Sequence, residues 1–159
     1  MDSTSIWRPV RADLRRILLS VPGLPDMKWE GKRFKPTEGV AWGSERIEVA
    51  TATTETLGHV GQVQETGTYQ IELFWPANGT ISDCEDVADR IRQTFWHGRA
   101  IGPEGIKGGV LSSYRMRSVE TDQFYQIPVR VQFYVRRFIR QGTPGFSATA
   151  IMANRRAAV

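Results

Sequence analysis

The stretch from Tyr69 to Gly98 reads YQIELFWPANGTISDCEDVADRIRQTFWHG, and its punctuation decides the fold. Residues Thr68 to Trp75, rich in aromatic and β-branched side chains, predict a strand that stops at Pro76, because proline has no N–H to give a sheet ladder. Asn78-Gly79 then turns the chain. Ser82, followed three residues later by Glu85, has the form of a capping box, and Asp83 and Asp86 suit the positive end of a helix dipole. The helix begun there carries Cys84, Val87, Ala88, Ile91 and Phe95 on one stripe, and Gly98 is placed to supply a left-handed stop. A strand, a turn and a capped amphipathic helix in succession imply a helix packed on a sheet.

Working outward, Ile6, Val10, Leu14, Ile17, Leu18 and Val21 recur at three- and four-residue spacing and predict a first helix, with Ser5 as its cap, Pro9 in its first turn and Pro22-Gly23 and Pro25 as its stop. From Leu24 to Glu45, Pro25, Gly31, Pro36, Gly39 and Gly43 separate the bulky Met27, Trp29, Phe34 and Trp42. That composition opposes long helix and long strand alike and reads as an extended arm. Its aromatic side chains need cover, either from the domain's own sheet or from a neighbouring subunit. Alternation about Ile47, Val49, Thr51 and Thr53 predicts a strand from Arg46 to Thr54, and Thr56 to Thr66, with Gly58 and Gly61, reads as a long mobile hairpin loop.

Beyond the second helix, Gly102 to Gly105 and Gly108-Gly109 break the chain before a strand from Val110 to Val119, and Glu120 to Gln123 make a turn. The final strand places Ile127, Val129, Val131, Phe133 and Val135 on one face and Arg130, Gln132, Tyr134 and Arg136 on the other. Pro128 suggests a strand start or a sheet edge. The order helix, strand, strand, helix, strand, strand gives an α+β fold, with about four strands in a mixed sheet covered on one face by two amphipathic helices, long loops and an extended arm. If the strands flanking the second helix are parallel, their connection should be a right-handed crossover. Residues 1–140 are expected to form a single domain and residues 141–159, with Gly142, Pro144 and Gly145, a flexible C-terminal tail.

The 159 residues suffice for one self-supporting core, and 40% hydrophobic with 24% charged content is the balance of a globular chain. No apolar run reaches the ~18 residues that cross a bilayer, and the N-terminus lacks the basic and apolar segments of a secretory signal, so the cytoplasm is the expected site of synthesis. Cys84, the one cysteine, falls in a helical stripe and is expected to be a buried apolar residue. The net charge of +4 is uneven: no acid follows Asp122, while Arg130, Arg136, Arg137, Arg140, Arg155 and Arg156 all do. This basic end reads either as a nucleic-acid surface or as a solvated sheet face with subunit contacts.

Reactive chemistry finds little to work with. His59 and His97 have no nucleophile at a recognisable spacing, and Gly105-Ile106-Lys107-Gly108-Gly109 lacks the following helix of an anion site. Asp83, Cys84, Glu85 and Asp86 point around a helix turn and not to one metal. No catalytic, cofactor or metal residues are assigned.

Met27-Lys28-Trp29-Glu30 with Phe34-Lys35-Pro36, then Arg46-Ile47-Glu48-Val49, then Tyr69-Gln70-Ile71 through Pro76 to Ala88-Asp89-Arg90-Ile91 and Phe95, resemble in order and spacing the tail-terminator and tail-completion proteins of long-tailed phages, prophages and gene transfer agents. The resemblance spans about Ile6 to Phe138. It implies a non-enzymatic virion protein that forms a hexameric ring on the finished tail tube, at the head-proximal end. There it would stop polymerisation and present a surface to head-completion or neck proteins. The ring would be assembled in host cytoplasm, with DNA passing through its lumen without specific binding and with no membrane involved. The interface candidates are Trp29, Phe34, Trp42, His59, Gln62, Arg130 and Arg136, on the arm, the long loop and the last strand. The basic end after Asp122 departs from the family pattern, and Arg155 and Arg156 within it are expected outside the lumen or against another protein. A neck or head-closure connector, and a basic nucleic-acid-binding module, are the alternative readings.

Overall fold

The computed structural model describes residues 6–54, 60–103 and 105–140. In chain order its elements are α1 (Trp7–Leu19), β1 (Asp26–Lys28), β2 (Trp42–Thr54), β3 (Val60–Pro76), α2 (Ile81–Thr94), β4 (Lys107–Arg115), β5 (Val119–Glu120) and β6 (Phe124–Arg140). The expected four strands are therefore six, in the order β1-β2-β3-β6-β4, with β5 also pairing to β6. All pairs are antiparallel except β1 with β2.

The sheet is organised about β3 and β6, which pair without a register break from Val60 opposite Arg140 to Pro76 opposite Phe124. Side chains alternate across a strand, so Tyr69, Ile71 and Leu73 of β3 and Ile127, Val129, Val131, Phe133 and Val135 of β6 share one face, and all are buried. Against that face lie Val10, Leu14, Ile17 and Leu18 of α1 and Cys84, Val87, Ala88 and Ile91 of α2. Each large apolar side chain contributes roughly 1.5–3 kcal/mol on burial, against under about 1 kcal/mol for an exposed ion pair. The apolar stripes, and not the surface charges, hold the helices down. β3 and β4 run in the same direction with β6 between them, so the β3–α2–β4 connection joins parallel strands and skips one position.

Several boundaries differ from the sequence reading. The Ser82–Glu85 box does not form. Thr80, in extended conformation, is the N-cap, Ser82 lies inside the first turn, and Glu85 turns instead to Arg115 of β4 at 3.8 Å. The helix end is set by Phe95, which leaves helical geometry to bury its ring edge-on against Tyr69; Gly98, at φ +86°, makes the next turn. In α1 the cap position is Ile6, and Ser5 lies outside the described residues. The expected loop from Thr56 to Thr66 is strand from Val60 onward, because the polar Gln62, Gln64 and Thr66 occupy the sheet face that carries no helix. The Val110–Val119 strand divides into β4 and β5.

Pro128 is neither a strand start nor at an edge, since it sits in the middle of β6 opposite Glu72. Its nitrogen faces the side where β4 has ended and β5 has not begun, and its carbonyl on that side accepts from Met116 N–H at 2.8 Å. No ladder bond is lost there. Gly108 and Gly109 do not break the chain; they lie within β4. A Cβ on Gly108 would stand 2.5 Å from the Tyr134 carbonyl oxygen and 2.7 Å from that of Ile101, both fixed backbone atoms. Gly108→Ala should therefore destabilise the protein by about 1–3 kcal/mol, read from the urea midpoint. Gly109→Ala, whose nearest neighbours are atoms of the Tyr134 side chain at 3.2 Å and beyond, should cost less.

Candidate functional site

Both helices pack on one face of the sheet, which leaves the other to the even-numbered positions of β3 and β6 and their neighbours in register. On this open face a polar ladder runs across four strands. Arg130 donates to the Gln70 amide oxygen at 3.0 Å, Gln70 donates to Glu72 at 2.9 Å, and Ser44 reaches Glu72 at 3.5 Å. Farther along, Arg136 donates to Gln64 at 2.8 Å and lies over the Tyr134 ring at 5.0 Å, while Ser112 donates to Gln132 at 3.1 Å. A neutral amide orients a guanidinium through its oxygen, so Arg130 and Arg136 are both held in place. Gln62 continues this row on β3, opposite Phe138.

At the other end of the same face the ladder gives way to aromatics. Trp42 stacks on Phe74 with ring centroids 4.1 Å apart and planes 10° from parallel, and Phe34 lies over Trp42 at 5.7 Å. Phe124 meets both Trp42 and Phe74 edge-on. Register brings these residues together: Trp42 pairs with Phe74, and Pro76, two residues on, pairs with Phe124. Phe34 is the one half-buried residue between Glu30 and Val40 and brings the arm's ring onto this face, and Lys35 to Gly39 then border a pocket shared with Pro76 and Phe124. Trp29 lies apart, packed against the core with Arg15 over its ring at 5.3 Å.

The arm is fixed at its root by charge. Buried Glu45 accepts from Arg15 Nε at 2.9 Å and from the Glu30 backbone N–H at 3.0 Å. The Glu30 carboxylate in turn takes Arg11 and the Ile47 backbone N–H, the latter at 3.0 Å. Where β1 stops pairing at Ser44, side chains thus take over the outer edge of β2 as far as Ile47. Burial alone would raise the Glu30 pKa, but its bonds to Arg11 and the Ile47 N–H and the nearby charges of Arg11 and Arg15 outweigh that and lower it. Glu45 shares its strand parity with Ile47 and Val49, so a charge falling on the apolar face was the sequence signal for this network.

Of the residues singled out from sequence, Phe34 and Trp42 meet, Arg130, Arg136 and Gln62 share one face, Trp29 borders a groove with Phe34 beside β1, and His59 lies outside the described residues, as do Arg155 and Arg156. Sequence reasoning missed Phe74, Phe124, Glu30 and Glu45. Cys84 is fully buried, and burial first, then the Glu85 charge, push its thiol up to about 12 against the opposing pull of Arg115. At that value it is not a nucleophile at neutral pH. Among the described residues no three His, Cys, Asp or Glu are grouped to hold a metal ion, and no helix is long and apolar enough to cross a membrane.

Comparison with known proteins gives a consistent picture. A family model described as phage tail terminator protein matches residues 5–133. One solved structure superposes with a TM-score of 0.62 at 18% identity, covering 81% of this chain and 94% of the other. A chain from the virion of a native gene transfer agent particle superposes with a TM-score of 0.59 at 14% identity, covering 84% of this chain and 99% of its own. At these identities both likenesses are of fold. No curated protein sequence matches the chain.

Because the Glu30 carboxyl is lowered in the folded state, its contribution is complete above the ordinary glutamate value of 4.5 and is lost as pH falls through the lowered value. Melting curves between about pH 5 and 3 should accordingly show a steeper loss of stability in the wild type than in Glu30→Gln. Parallel curves would remove Glu30 from the acid response.

Proposed function

The chain belongs to the phage tail terminator family, a family of tail structural proteins, and on that footing we propose that it caps the head-proximal end of a tail tube as a ring of identical subunits, hexameric by the family resemblance. Binding to the last ring of tube protein ends polymerisation, and the outer surface of the cap receives head-completion or neck proteins. The mechanism is association by mass action, with no bond made or broken in a substrate.

The observation that carries this reading is the family match over residues 5–133, joined to the division of the sheet into a helix-packed face and an open one. A protein that must meet several partners at fixed angles needs rigid, pre-ordered side chains, which lower the entropy cost of docking. The Trp42–Phe74 stack and the amide-tethered arginines meet that need on strands and not on loops. Trp29, Phe34 and Trp42 of the arm, with His59, Gln62, Arg130 and Arg136, are the proposed contacts with neighbouring subunits or the tube.

One observation favours a second reading. Arg130 is held by the neutral amide of Gln70, so the open face offers a fixed cation to a phosphate backbone. A nucleic-acid module would bind DNA with an affinity that falls by orders of magnitude between low and moderate salt, whereas a cap with DNA sliding through it would not capture DNA tightly.

Purified protein added to polymerising tail tube protein should arrest growth and leave capped ends in negative-stain images, and phage lacking the chain should make overlong tails that fail to join capsids. Tails of normal length that still join capsids would end this reading.

A further inference from the structure

Exposed large apolar side chains stand at opposite edges of the sheet. At the β4 edge, a bulge between Val110 and Ser112 makes Leu111 the extra residue. Bulges re-aim side chains, and here Leu111 is 42% exposed beside Trp96, 54% exposed, with both lining one cleft at the end of α2. The guanidinium of Arg99 lies 4.5 Å from the Trp96 ring centroid, and His97 Nδ1 is 2.6 Å from the Leu111 carbonyl oxygen, so the pair is fixed and not free to fold inward. At the β1 edge, a groove of about 510 Å³ is lined by Leu19, which is 62% exposed, with Val21, Leu24, Pro25, Met27 and Trp29.

We propose that Trp96 and Leu111 of one copy of this chain dock into the Leu19–Leu24–Pro25 groove of the next. The inference rests on the ring reading and names the contact that would build the ring. β1 and β4 end the strand order on opposite sides, so one chain cannot fill its own groove, and each docking leaves one projection and one groove free to continue. Such a head-to-tail contact closes into a ring when its rotation permits. Charge agrees with this pairing through one residue on each side. Asp26, at the groove, makes no ion pair among the described residues, and Arg99 lies over the Trp96 ring with only the Thr94 carbonyl as a further partner, whereas Arg92 is already paired with Asp89 in the same cleft. A central tryptophan framed by arginine is the composition of an interface hot spot.

The test uses the full chain. Trp96→Glu removes the projection and keeps the groove, whereas Leu19→Glu removes the groove and keeps the projection. Both sites are mostly exposed, so neither should lower the melting midpoint appreciably. Sedimentation velocity on wild type, each variant and their equimolar mixture should give rings, monomers, monomers and dimers respectively, each variant associating at least ~30-fold more weakly. The mixture stops at dimers because it holds one working contact only. Leu111→Asp, on the same projection, is the second variant and should behave as Trp96→Glu does. Rings formed by a single variant overturn this contact and leave the ring reading standing. Wild type that stays monomeric both in solution and on tube ends overturns both. Variants that form rings but no longer cap tubes assign the patches to the tube protein and overturn the proposal.

Discussion

The unbroken pairing of β3 with β6 is the constraint on which everything else in this molecule depends. Because strand side chains alternate, a slip of one residue would exchange the whole apolar set for the polar one. The register that puts Val131 beside Tyr69 under the helices is the same register that puts Arg130 beside Gln70 on the open face. Core and candidate contact surface are therefore two readings of one alignment. Neither can be altered by insertion or deletion in these strands without altering the other.

The arm illustrates how a weak element is held. β1 covers only Trp42 to Ser44 of its neighbour, too little to secure the chain by ladder bonds. Glu45, buried under α1 and bonded to Arg15, fastens the arm root from inside, and Glu30 extends the fastening outward to Arg11 and Ile47. Beyond that point the Phe34 ring, the half-buried residue of the segment from Glu30 to Val40, stacks on Trp42 of the sheet. A buried carboxylate needs its partners to be tolerated at all, and here that requirement fixes where the arm begins. The aromatic cover that the sequence left open between self and neighbour is supplied within the chain for Trp42 and Trp29.

What could be read from sequence was whatever is periodic. The stripes of α1 and α2 and the alternation of β6 are long enough to declare their faces, and every residue assigned to them from Val10 to Val135 is buried. What could not be read depends on neighbours distant in sequence. Glu85 looks like a capping residue until Arg115 is brought across from β4. The polar residues up to Thr66 look like loop, yet they belong to β3, where the Gly67 that follows leaves room for the Phe133 ring, within 2.8 Å of any added Cβ. The aromatic cluster was half legible, because Phe34 and Trp42 share the arm while Phe74 and Phe124 join them only through the register of three strands.

The position of β6 has a consequence for how the protein comes into being. It is the last strand of the described residues, yet it fills the middle of the sheet, between β3 and β4. During translation, at ~5–20 residues per second, β3 emerges well before its partner and must wait several seconds with the ladder groups on its β6 side unpaired. Pairing across so long a loop is intrinsically slow. A chain cut short between Pro76 and Phe124 would thus lack the strand that fills the middle of its sheet, and could not complete the fold.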